Sequence, residues 1–121
     1  MKFHLSIDLP SPSGNYFAYS HWSVRRKDKQ KWSVLILFAI KNSENQDRMA
    51  ANGKRRITVE RYCKRPLDPD NLVSGLKGII DSFREFGLIV DDDDKHLELL
   101  CYNRKIISKN KQMTVFTFED I

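Results

Sequence analysis

The stretch DPDNLVSGLKGIIDSFREFG, residues 68–87, constrains the fold more than any other part of the chain. Leu72, Leu76, Ile79, Ile80 and Phe83 recur at i, i+4, i+7, i+8 and i+11, the spacing of a single apolar stripe on a helix. Pro69 suits the first turn, where a backbone N–H would have no partner in any case. Asp68 stands where an N-cap belongs and Gly87 where a C-cap belongs. One helix is therefore expected, with Asp70, Ser74, Lys77 and Asp81 on its polar side. Lys77 follows Asp70 by seven residues, roughly 10 Å along the axis, and its side chain leans back toward the N-terminus. Its ammonium can approach whatever Asp70 holds, or pair weakly with Asp81 one turn on.

Four aspartates, Asp91–Asp94, follow this helix after the apolar GLIV. Residues 67–98 carry nine acids against three bases, a net of −6, in a chain whose total is +5, so the remainder carries +11. An acidic centre in a basic frame suits a protein that binds a polyanion and holds cations at one place. Read as a short strand, GLIVDD presents only one of two adjacent aspartates to a given side, so the run offers one or two ligands rather than four. Clustered carboxylates raise one another's pKa, and a hard cation removes that conflict. Oxygen-only donors point to Mg²⁺, or Mn²⁺, rather than zinc. DPDN opens like a calcium-binding EF-hand loop, but Val73 stands where that loop needs glycine.

Around this centre, Phe3, Leu5, Ile7 and Leu9 alternate as a half-buried strand. PSPSGN (Pro10–Asn15) then turns into a loop bearing Tyr16, Phe17, Tyr19 and Trp22. RRKDKQK (Arg25–Lys31) reads as a basic loop, and Trp32, Leu35, Ile36, Ala39 and Ile40 favour a helix after it. Arg56–Arg65 alternates as a strand, and Leu97–Ile107 with Met113–Phe118 is expected to form a closing hairpin around Ser108–Lys111. A length of 121 residues fits one domain, 1–121, with one modest core. The longest apolar run, Val34–Ile40, is far short of a membrane span, and the N-terminus lacks the apolar core of a signal peptide. The expected compartment is the cytoplasm, with Cys63 and Cys101 as reduced thiols.

The segment DPDNLVSGLKGIIDSFREFGLIVDDDDKHLE resembles the RusA family of Holliday junction resolvases of bacteria and their prophages. That family's pattern is D-x-D-N-L, a helix with a lysine, I-D-x-hydrophobic, then G-hydrophobic-hydrophobic-x-D-D. The resemblance implies a small α+β fold, a mixed sheet with two main helices, acting as a homodimer. It favours a helix around residues 28–43. It places catalytic and metal-binding roles on Asp68, Asp70 and Asp92, with Asp91 the alternative third ligand, and a catalytic role on Lys77.

The expected activity is Mg²⁺-dependent hydrolysis of phosphodiesters at four-way DNA junctions, in recombination and repair. Arg25, Arg26, Lys27, Lys29, Lys64 and Arg65 are the candidate phosphate contacts. Two other readings remain: a branched-DNA-binding protein without cleavage, and a nuclease acting on other branched DNA.

Overall fold

Alternating burial defines each strand's inner face. A computed structural model describes residues 1–15, 20–44 and 46–121. Strand β1 (Lys2–Ile7) buries Phe3, Leu5 and Ile7. Strand β2 (Arg55–Cys63) turns Arg55, Ile57, Val59, Arg61 and Cys63 inward. Strands β3 (Leu97–Lys105) and β4 (Met113–Asp120) complete a four-stranded sheet of order β1–β4–β2–β3. β4 runs antiparallel to both neighbours, and β3 runs parallel to β2. Helices α1 (Trp22–Lys41), α2 (Pro69–Ser74) and α3 (Lys77–Glu85) complete an α+β fold in which α1 and α3 are the main helices.

One apolar cluster joins Trp32, Ile36 and Ile40 of α1 and Ile79 and Phe83 of α3 to the inner face of the sheet. Phe3 stacks on Phe118 at 4.7 Å, and Phe83 meets Phe116 and Phe118 edge-on, each at 5.0 Å. The opposite sheet face is laced by cross-strand ion pairs: Arg56 with Glu98 at 3.0 Å, and Arg104 with Glu60 at 2.9 Å.

Four expectations are corrected. β3 and β4 do not form a hairpin, because β4 lies between β1 and β2. It buries Thr114 and Thr117 as well as Phe116 and Phe118, the mark of a central strand. The basic stretch Arg25–Lys31 is helical: α1 already starts at Trp22, where the His21 side chain accepts the Ser23 N–H at 3.2 Å. Residues 68–87 form two helices rather than one. GLIVDD is not a strand, since Leu88 and Ile89 are both buried instead of alternating. Arg55 and Ala51 hold that backbone through the carbonyls of Leu88 and Gly87. Of the aromatics read as a loop, Tyr16, Phe17 and Tyr19 lie outside the described residues.

The break between α2 and α3 coincides with a close contact. A Cβ on Gly75 would stand 1.8 Å from the Pro12 carbonyl oxygen, so the PSPSGN turn presses on the junction of the two helices. Gly75→Ala is expected to destabilise the protein by about 2 kcal/mol through overpacking. Gly53→Ala, with nothing within 4 Å, should stay within about 0.5 kcal/mol of the parent. Urea unfolding of the two variants measures the contrast; equal stabilities would contradict the contact.

Gly87 ends α3 with φ +76, a conformation that glycine adopts at little cost. The Leu88 N–H donates to the Phe83 carbonyl at 2.8 Å and the Gly87 N–H to the Arg84 carbonyl at 3.1 Å, a Schellman motif. This reversal brings the aspartate run back beside α3. Among the described residues, no helix is long and apolar enough to cross a membrane.

Candidate active site

Asn103 of β3 grips the chain just ahead of the first acids: its amide donates to the Leu67 carbonyl at 2.8 Å and its oxygen accepts the Leu67 N–H at 3.3 Å. Asp68 follows at the N-cap position, and its carbonyl accepts the Leu72 N–H at 2.9 Å. Its carboxylate makes no capping hydrogen bond, so the expected cap is present in position only. Both Asp68 and Asp70 are exposed, with Asp70 in the first turn of α2.

Lys77 begins α3 rather than continuing the helix that carries Asp70, so the 10 Å axial relation to Asp70 no longer applies. It projects beside Ile80 and Asp81, which share its helix face at i+3 and i+4. These residues form one wall of a cleft of about 440 Å³, completed by Val73, Leu97 and Leu99 and by Asp92 and Asp94 of the aspartate run. Lys77 and Asp81 also line an adjoining groove with Arg25 and Lys29 of α1. Lys29 approaches Glu85 at 3.3 Å and Asp81 at 4.0 Å across the helix pair. The structure thus brings Lys77, Asp92, Arg25 and Lys29 to one connected surface, while Asp68 and Asp70 lie outside the lining of the cleft.

The aspartates divide by role. Asp91 accepts the Asp92 N–H at 2.8 Å. That bond and the Asp92 side chain, with Arg84 and His96 nearby, hold its carboxyl below the usual carboxylate range. Asp93 forms the turn itself, bonded to His96 Nδ1 at 2.6 Å and to the Lys95 N–H at 3.1 Å. Asp92 and Asp94 face the cleft.

Two residues absent from the sequence-based set stand out. Arg84 lies 3.9 Å from Asp81, 3.7 Å from Asp91 and 3.9 Å from Asp92, so one guanidinium offsets the mutual repulsion of three carboxylates. Only its i, i+3 spacing to Asp81 is visible in the sequence. Asp94 enters because the run turns rather than extends. Arg26 lines a separate cleft with Glu85, Lys27 is exposed on α1, and Lys64 and Arg65 lie in a basic cleft after β2.

The donor chemistry of Asp68, Asp70, Asp92 and Asp94, exposed carboxylates without histidine or thiol, matches a hard divalent cation. Among the described residues, no three such side chains already converge at ligating spacing. Cys63 and Cys101 are free, and burial pushes the Cys101 thiol up to about 11, so it is protonated and unsuited to metal binding at neutral pH. Comparison of the chain with models of protein families gives no match, and comparison with the curated proteins gives none either.

Proposed function

We propose that the protein is a Mg²⁺-dependent endonuclease of the RusA type that cuts branched DNA, four-way junctions above all, as a homodimer. The observation that carries this reading is the connected surface on which Lys77 stands between the acid-walled cleft and the basic groove of Arg25 and Lys29. Such a surface suits a phosphodiester, with cations along the backbone and carboxylates at the point of reaction. Asp92 would hold the ion from the cleft, and Asp68 and Asp70, which lie outside its lining, would have to turn toward it to complete the set. When bound, Mg²⁺ activates water and stabilises charge developing on the scissile phosphate. Lys77 offsets charge on that phosphate or on the leaving oxygen. Arg25 and Lys29 position the strand, and the Arg84 guanidinium sits between the carboxylates of Asp91 and Asp92. A two-fold dimer supplies two such sites with the symmetry of a four-way junction.

Equilibrium binding across a salt series tests the partner. The expected result is a four-way junction bound by two chains, more tightly than linear duplex of equal length, with affinity falling steeply as salt rises. A flat salt dependence would remove nucleic acid as the partner, and equal affinity for junction and duplex would remove the structural selectivity.

A further inference from the structure

The inner face of β2 carries two buried arginines, one at each end, and they are treated differently. Arg55 is 2% exposed and meets the Asp120 carboxylate at 2.8 Å. Arg61 is 9% exposed, and its Nε donates to the Ser11 carbonyl at 2.7 Å and its Nη1 to the Arg65 carbonyl at 3.2 Å. Those bonds fix the guanidinium in place without neutralising it. Among the described residues, no carboxylate comes within 4.0 Å of Arg61. Buried charges are ordinarily paired, so this one calls for an anion from outside.

The surroundings of Arg61 are built to receive one. It lines a cleft of about 390 Å³ with Lys64, Arg65, Lys109 and Gln112, and no acid is in the wall. Gln112 Oε1 accepts the Lys64 N–H at 3.2 Å, which leaves the amide NH₂ as a further donor. Every polar side-chain group this cleft offers is a donor: three flexible or forked cations around one fixed guanidinium, the pattern that fits phosphate oxygens. Arg65 precedes Asp68 by three residues, at most roughly 11 Å of extended chain. A nucleic-acid strand at Asp68 therefore passes within reach of the cleft.

We infer that Arg61, Lys64, Arg65, Lys109 and Gln112 form a phosphate-binding site that takes a backbone phosphate of the DNA flanking the point of cleavage. The inference rests on the nucleic-acid reading above for the source of the phosphate. Arg61 is the preorganised anchor, and Lys64 and Lys109 close on the phosphate from the two loops that border the cleft.

The test is a titration of ¹⁵N-labelled protein with a short DNA duplex, following the Arg61 Nε–H and the side-chain amide of Gln112. A parallel titration uses inorganic pyrophosphate, and both are repeated on a Lys64→Gln, Lys109→Gln double variant. Both lysines are exposed, so the fold is retained. The expected result is saturable shifts at both groups with DNA. In the double variant, affinity at about 0.1 M salt should fall about tenfold, and the slope of log affinity against log salt should lessen by about one to two. DNA binding with these signals unmoved, or with an unchanged slope in the variant, overturns the site and leaves the nuclease reading standing. Shifts with pyrophosphate in a protein that binds no DNA overturn the assignment to a backbone phosphate, and the nuclease reading falls with it.

Discussion

Asp70→Asn is expected to slow cleavage of a four-way junction by at least about a hundredfold, equivalent to about 3 kcal/mol of lost transition-state stabilisation. The substitution keeps the size of an exposed side chain in the first turn of α2 and removes only its charge. The fold loses little with that charge, because the Asp70 carboxylate makes no hydrogen bond or ion pair among the described residues and keeps only the favourable dipole of a short helix. Junction binding should persist or tighten, since one negative charge facing phosphates is gone. Asp93→Asn is the matched control: its carboxylate serves the turn through His96 and Lys95, so stability should suffer more than catalysis. Single-turnover nicking with a parallel binding assay measures both. An Asp70→Asn variant that cuts near the parent rate would remove Asp70 from the site.

Arg55→Met is expected to lower stability by about 3 kcal/mol. The volume is nearly kept, but the carbonyls of Met49 and Leu88 both lose a buried donor, and Asp120 keeps only the N-terminal ammonium of its two cationic partners. The Arg55 guanidinium also sits over the Phe3 ring at 5.1 Å, so the substitution reaches the sheet core. The effect has a pH signature. The hydrogen bond from Arg55, opposed by some desolvation and aided by the chain's N-terminus, holds the Asp120 carboxyl below its ordinary value. A depressed carboxyl stabilises the fold fully above its unfolded pKa, about 4, and loses that contribution as pH falls through the folded value. The gap between parent and variant should therefore narrow from pH 7 to pH 3 in urea unfolding. A variant within about 0.5 kcal/mol of the parent at pH 7 would contradict the role given to Arg55.

These arginines show where sequence reading stops. In the alternating strand around β2 they look like solvent-facing residues, yet both occupy inward positions, because nearby carbonyls are arranged to receive them. The apolar stripe from Leu72 to Phe83 and the glycine at 87 were legible, since caps and periodicity are local. The break at Gly75 was not, and the Pro12 carbonyl packed against it comes from more than sixty residues away. The four observed strands were legible for the same local reason, although GLIVDD read wrongly as a fifth, while pairing was not: proximity in sequence suggested β3 with β4, and burial on both faces put β4 in the centre. Arg25–Lys31 read as a loop for want of apolar residues, although a helix needs only one apolar stripe and α1 draws its own from Trp32 onward.

At the candidate site, residue types suggested a chemistry but did not give the placement. Lys77 and Asp92 share a cleft as a donor–acid pairing would require, and Arg84 joins them only because the reversal at Gly87 folds Asp91 and Asp92 back over α3.

The proposed activity is the cutting of branched DNA by these residues with a divalent ion. Its most direct test is incubation of a strand-labelled four-way junction with the purified protein in Mg²⁺ and in EDTA, read on a denaturing gel. The predicted result is a pair of symmetry-related nicks in Mg²⁺, yielding two linear duplexes, and none in EDTA. An intact junction in Mg²⁺, or cutting that persists in EDTA, would contradict it.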